Sequence, residues 1–191
     1  MTADCRKVIA IGASAGGVQA LLRILPALPA DFPCPILIVV HVPPNRDNAL
    51  VALFAQRCQI AIKEAEDKEA VTSGVGYFAP ADYHLLVEAD ATLALSLDEP
   101  VNYSRPSIDV LLEAAADAFE HDLTAIILTG ANNDGAAGAA AVAAAGGNVI
   151  VEDPAEAEVP TMPAAALAAC PSATVMQLPD ITSYLLRLGQ A

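Results

Sequence analysis

The chain alternates short apolar runs with longer stretches whose apolar residues recur at helical spacing. Residues 8–11, 36–40 and 124–128 are apolar or nearly so, which is typical of parallel strands buried on both faces. Turns that contain glycine or proline lead into helical patterns, for example at residues 18–25 and 136–145. This alternation predicts an α/β fold, with a doubly wound, mainly parallel sheet and helices on both faces.

Two segments in the middle of the chain have a different pattern. Residues 83–87 and 92–97 are short runs of β-forming residues, and only four residues, 88–91, separate them. Such spacing is typical of an antiparallel pair. We therefore expect a β-hairpin appended to the main sheet.

Composition and charge fit one domain spanning residues 1–191. With 55% hydrophobic residues the chain can build its own core. The net charge of −14 excludes nucleic acid and anionic membrane surfaces as partners, because no basic patch would outweigh that field. Glycine or proline interrupts the two long uncharged stretches, residues 135–151 and 159–179, so we expect no membrane insertion and a cytoplasmic protein.

The cysteines give no sign of a framework. Cys5, Cys34, Cys58 and Cys170 are scattered and form no C-x-x-C pair. This spacing favours reduced thiols over disulfides or a zinc site. We predict no metal and no cofactor.

The first turn of the predicted sheet contains a candidate nucleophile. Gly12-Ala13-Ser14-Ala15-Gly16 matches G-x-S-x-G, in which flanking glycines let a sharp turn between strand and helix expose a serine hydroxyl. A dinucleotide-binding turn is one alternative, although that fingerprint requires glycine where this chain has Ser14. In a second alternative, Ser14 only caps the following helix.

Polar residues also follow two other predicted strands. His41 ends the second strand, and the loop of residues 129–135, which contains Asp134, follows the strand at 124–128. The carboxyl ends of parallel strands share one edge, so Ser14, His41 and Asp134 could form a nucleophile, a base and an orienting acid. His41 could instead be a strand-end histidine bonded to a loop, and Asp134 the N-cap of the next helix. The order serine, histidine, aspartate disfavours an α/β-hydrolase, in which the acid precedes the histidine.

Five motifs occur in order along the chain: VIAIGASAGG (8–17), VVHVP (39–43), FAPADYH (78–84), RPSIDVL (105–111) and ILTGANNDG (127–135). Together they resemble the catalytic domain of the CheB-type chemotaxis-receptor methylesterases. The resemblance implies a serine hydrolase that removes methyl esters from glutamyl side chains of methyl-accepting chemotaxis receptors, releases methanol and also deamidates glutamines. It assigns Ser14 as nucleophile, His41 as general base and Asp134 as its carboxylate partner.

The chain departs from the family pattern at two positions. Ala15 stands where the family commonly has threonine, and Ala131-Asn132 stands where it has Met-Gly. The backbone N–H of Ala15 is unaffected by this change and could serve as an oxyanion donor, and the matching family position suggests the Ala131 N–H as a second donor. These departures motivate an alternative from a different class, a catalytically silent docking module with the same fold.

Two arginines are candidates for substrate binding. Arg46 and Arg105 both lie in loops expected around the strand ends, where positive charge would help an acidic chain approach a glutamate-rich partner. We expect no counterpart of the family's usual receiver domain, since six residues precede Lys7. We therefore expect activity without phosphorylation.

Overall fold

A seven-stranded parallel sheet forms the centre of the protein. The computed structural model describes residues 7–41 and 49–190. Along the sheet the strands follow the order β3, β4, β2, β1, β7, β8, β9, and every neighbouring pair is parallel. The strands of this sheet are β1 (Val8–Ala13), β2 (Ile36–Val40), β3 (Ala61–Glu64), β4 (Val75–Phe78), β7 (Leu123–Ile127), β8 (Asn148–Glu152) and β9 (Thr174–Met176).

Helices cover both faces of the sheet, as the alternating pattern predicts. Their bounds are α1 (Gly17–Ile24), α2 (Ala49–Arg57), α3 (Ile108–Phe119), α4 (Ala136–Ala144), α5 (Thr161–Ala169) and α6 (Leu178–Leu188). In β1, Ile9 and Ile11 point to the hydrophobic cluster that includes residues of α1, α2 and α6, whereas Val8 and Ala10 join the cluster of α3, α4 and α5. The predicted doubly wound α/β fold is therefore confirmed.

The predicted hairpin is also present. Strands β5 (His84–Val87) and β6 (Leu93–Ser96) pair antiparallel as a separate two-stranded sheet. Leu85, Val87 and Leu93 belong to the same hydrophobic cluster as α3, so packing rather than strand pairing attaches the hairpin to the domain.

The central position of β1 determines where the candidate residues meet. Its neighbours are β2 on one side and β7 on the other, so the segments that follow these three strands emerge side by side. The carboxyl edge of such a sheet is where α/β proteins bind ligands.

The cysteines are not all reduced thiols. Cys34 is disulfide-bonded, so the prediction of four reduced thiols is wrong at this residue, while Cys58 and Cys170 are free. Scattered spacing could not predict the bond, because cysteines pair by proximity in the fold and not in sequence. Within the described residues, no helix combines the length and the hydropathy needed to cross a bilayer.

Candidate active site

Ser14 lies in the sharp turn between β1 and α1. Its N–H donates to the Thr129 carbonyl at 2.9 Å, and its carbonyl accepts from the Gly17 N–H at 2.8 Å. The N-cap of α1 is Gly16, in a left-handed conformation with φ of 79°, so the alternative in which Ser14 caps the helix is wrong. Glycine is needed at Gly130 too, because a Cβ there would lie 2.9 Å from the Ser14 Cβ.

The Thr129 hydroxyl holds this turn from the loop that follows β7. Its Oγ1 donates to the Ala15 carbonyl at 2.8 Å and accepts from the Val159 N–H at 2.8 Å. The carbonyl of Ala15, the residue after Ser14, is therefore held in place by Thr129. Ala15 and Ala131 are both exposed, so their N–H groups remain candidates for oxyanion donors.

His41 and Asp134 are brought together from strands β2 and β7. The His41 N–H donates to the Ala13 carbonyl at 3.1 Å, which fixes the histidine beside the end of β1. Its Nε2 lies 2.9 Å from Asp134 Oδ2, and the two side chains are 14% and 0% exposed. Although the atoms are close, Nε2 makes no well-aligned hydrogen bond within the described residues. The contact leaves Nδ1 as the ring nitrogen that could serve a nucleophile.

Asn132 contacts this second ring nitrogen, His41 Nδ1, in the structure. The Asp134 N–H donates to Asn132 Oδ1 at 3.2 Å, which orients the amide so that its Nδ2 faces His41 Nδ1 at 3.4 Å. A donor at this position favours the tautomer whose proton is on Nε2, toward Asp134. Asn132 therefore touches the base candidate at the point where a serine hydroxyl would bind.

Asp134 is held by the beginning of α3 and does not cap α4. Its carboxylate accepts from the backbone N–H groups of Ile108 at 2.6 Å and Asp109 at 3.1 Å, and from the Ser107 hydroxyl at 2.8 Å. Burial alone would raise the pKa of Asp134, but contact with His41 and these hydrogen bonds outweigh it, so this pKa lies below its usual value of 3.8. The carboxylate is thus kept ionised. The N-cap of α4 is Gly135, which rules out the simple capping role for Asp134.

A second buried carboxylate, Asp109, lies next to Asp134. Its Oδ1 accepts from the Gly135 and Gly138 N–H groups at 2.9 and 2.7 Å. Burial raises the pKa of Asp109, and the nearby charge of Asp134 raises it further. The Asn102 amide nitrogen donates to both carboxylates, at 2.7 Å to Asp109 and 3.0 Å to Asp134, and so separates two like charges.

A cavity of about 470 Å³ opens beside His41. Arg105 lines it, and its Nη1 donates to the carbonyls of Leu97 and Asp98 at 3.0 and 3.1 Å. The guanidinium of Arg105 is therefore used to hold the chain around the cavity mouth. The other arginine candidate, Arg46, lies outside the described residues.

Comparison with known proteins supplies the family. The family model described as CheB methylesterase matches residues 9–185. The chain belongs to the CheB methylesterase family. The matched span contains all of the site described above, from Ser14 to Asp134.

Several relatives support this family membership. A Leptospira interrogans protein is 46% identical over 184 residues, which cover 96% of this chain and 95% of that protein. A Thermotoga maritima protein named "Protein-glutamate methylesterase/protein-glutamine glutaminase" is 38% identical over 150 residues, or 77% of this chain but only 44% of that protein. The crystal structure of the Thermotoga maritima CheB methylesterase catalytic domain matches with a TM-score of 0.90 at 36% identity, covering 95% of this chain and 98% of that one.

Sequence reasoning identified the strand-end residues but missed their supports. Asn102, Asp109 and Thr129 all contact a candidate residue or its turn, yet none was selected as a site residue. Asp109 looks like an ordinary acid in the first turn of a helix, and its role depends on a helix that begins 27 residues later. The signal that could have found Asn102 is its place in a polar stretch between the hairpin and α3.

Proposed function

We propose that this chain is a protein-glutamate methylesterase that hydrolyses glutamyl methyl esters and releases methanol. The observation that carries the proposal is the buried contact of 2.9 Å between His41 Nε2 and Asp134 Oδ2, beside the strand end that bears Ser14. This pairing orients an imidazole whose other nitrogen faces the site, which is the arrangement that activates a serine.

In the first half of the reaction, Ser14 Oγ attacks the ester carbonyl carbon while His41 Nδ1 takes the hydroxyl proton. The developing oxyanion would bind the N–H groups of Ala15 and Ala131. Collapse of the tetrahedral intermediate breaks the bond to the methoxy oxygen, and His41 returns the proton to methanol. For this step the Asn132 amide must move away from His41 Nδ1, because the amide and the Ser14 hydroxyl cannot both bind that nitrogen.

In the second half, water replaces methanol. His41 Nδ1 takes one proton from the water, the hydroxide attacks the acyl carbon, and Ser14 leaves with the proton from His41. The product is a glutamic acid side chain on the substrate protein, which loses its proton to solvent and becomes a carboxylate. An amide would react by the same steps and release ammonia, so glutamine deamidation is included in the proposal.

The substrate is a methylated signalling protein of the chemotaxis-receptor kind, and the activity is placed in the cytoplasm. Support comes from the family and from the name of the Thermotoga maritima relative, which acts on protein glutamates. No cofactor takes part in this reaction, because the nucleophile, the base and the carboxylate come from the chain itself.

Methanol release from a methylated receptor fragment tests the proposal. The wild-type protein should release methanol in proportion to the esters lost, and Ser14→Ala should release none while keeping its circular dichroism spectrum and melting temperature. Methanol release that persists in Ser14→Ala would reject the proposed mechanism. Absence of release from the wild type would reject the function.

A further inference from the structure

Large exposed hydrophobic side chains are concentrated at one place on the protein. Among the described residues five such side chains are exposed, and four of them lie between residues 83 and 103. These four, Tyr83, Leu97, Val101 and Tyr103, are called the rim patch below. The fifth, Val175, is on β9 at the far edge of the sheet.

The rim patch borders the cavity that contains His41. Tyr103 is part of the cavity wall together with His41, and Arg105 ties the backbone of Leu97 to the same wall through its carbonyl. The hairpin register pairs His84 with Ser96, so Tyr83 and Leu97 follow this pair at the open end of the hairpin. Tyr103 and the backbone of Leu97 therefore place part of the rim patch at the cavity beside His41.

The turn that carries Tyr103 is held in an unusual backbone conformation. Asn102 and Tyr103 both have positive φ values, 51° and 61°, which non-glycine residues rarely adopt. Below the turn the Asn102 amide is bonded to Asp134 and Asp109, while above it Tyr103 is fully exposed. The buried bonds of Asn102 thus present the Tyr103 ring to solvent at the cavity mouth.

We propose that the rim patch is the docking surface for the stretch of substrate protein that flanks the esterified glutamyl residue. This inference rests on the proposed function, because a protein side chain can enter the cavity only if its own backbone lies across the rim. Exposed tyrosine and leucine bind apolar protein surface well, and aromatic anchors carry much of the energy at such interfaces. Asp82, Asp98 and Glu99 outnumber Arg105 beside the patch, so the local charge is negative. Contrary to the expectation for Arg105 from the sequence, the surface then favours an uncharged segment over one rich in ionised glutamates.

The test compares binding with catalysis. Leu97→Ser and Tyr103→Ser remove side chains that are 63% exposed and fully exposed, and the matched control Val175→Ser removes one that is 47% exposed far from the site. The affinity of a methylated receptor fragment is measured by calorimetry for wild type and each variant, all carrying Ser14→Ala so that the ester is not hydrolysed during the measurement. Hydrolysis of a small neutral methyl ester is measured for wild type, Leu97→Ser and Val175→Ser.

The rim patch should matter for the protein substrate alone. We expect Leu97→Ser and Tyr103→Ser each to weaken fragment binding by roughly 5- to 10-fold, with Val175→Ser within about twofold of wild type. Small-ester hydrolysis by Leu97→Ser should equal that of wild type. Unchanged binding in both rim variants, equal weakening in Val175→Ser, or no binding by wild type would overturn the docking surface. Absence of ester hydrolysis by the wild-type protein would reject the proposed function instead. The binding data would still show whether the rim patch is a docking surface.

Discussion

Asp134 and Asp109 accept hydrogen bonds reciprocally. Each carboxylate binds backbone N–H groups at the beginning of the helix that lies next to the other aspartate in the chain. Asp134, which directly precedes the N-cap of α4, binds the first residues of α3, and Asp109 of α3 binds Gly135 and Gly138 at the beginning of α4. Both carboxylates thus occupy the positive end of a helix dipole. This exchange fixes the position of Asp134, and through it the imidazole of His41.

Substituting the two aspartates one at a time separates a role in catalysis from a role in structure. Asp134→Asn should lower kcat by roughly 10⁴-fold, the loss known for the corresponding change in a serine-protease triad, because asparagine favours the wrong tautomer of His41. Asp109→Asn is the matched control, since it alters the other half of the exchange without touching His41. The kcat of Asp109→Asn should fall by less than about tenfold, although its free energy of unfolding decreases by on the order of 1–3 kcal/mol. Equal kcat losses in the two variants would contradict the assignment of Asp134.

The two carboxylates should have opposite effects on stability as the pH changes. The pKa of Asp134 is lowered in the folded state, so its contribution to stability is present above its ordinary pKa and is lost as the pH falls through the lower folded value. The pKa of Asp109 is raised, so its contribution is present below the ordinary value and is lost as the pH rises through the higher one.

Urea unfolding of the wild type, Asp134→Asn and Asp109→Asn from about pH 3 to about pH 8 measures how the free energy of unfolding depends on pH. The free-energy difference between wild type and Asp134→Asn should shrink toward low pH. The difference between wild type and Asp109→Asn should shrink toward high pH. Slopes of the same sign would show that the two carboxylates do not titrate as described.

The Thr129 hydroxyl should matter for turnover. Thr129→Val keeps the shape but removes the bonds to Ala15 and Val159, so the turn after Ser14 loses its clamp. We expect kcat to fall by roughly 10- to 100-fold, as for other small displacements at a reacting centre. The control is Thr124→Val on β7, the strand that precedes Thr129, because the buried Thr124 hydroxyl has no partner within the described residues. This variant should keep full activity and gain stability, on the order of 1 kcal/mol, and reduced turnover in it would argue against a specific effect at Thr129.

Arg105 should affect the protein substrate more than a small one. Arg105→Ala removes the bonds that hold the Leu97 and Asp98 carbonyls at the cavity mouth. We expect KM to rise for a methylated receptor fragment and to stay unchanged for a small neutral ester, as when binding is lost away from the reacting carbonyl. Arg57→Ala, at the exposed end of α2, removes the same charge and serves as control. A rise in both KM values for Arg105→Ala would indicate a general structural role.

The sequence predicted the strand-end residues because their position follows from the order of strands and helices. Ser14 and His41 each come directly after an apolar run, and that pattern is local. The partners of Asp134 are not local: Asn102 and Asp109 reach it only because α3 packs beside α4, and residue spacing carries no sign of that packing. The bonds of Arg105 to the hairpin end depend likewise on the fold, so its placement at the cavity could be predicted but its hydrogen-bond partners could not.

Covalent labelling tests the central claim, that Ser14 is the nucleophile, most directly. The wild-type protein is treated with a serine-directed phosphonate, and the modified peptide is sequenced by mass spectrometry. One adduct per chain on Ser14 is expected, formed slowly in Asp134→Asn and absent in Ser14→Ala. An adduct on another serine, or labelling of Ser14→Ala at the wild-type rate, would contradict the account.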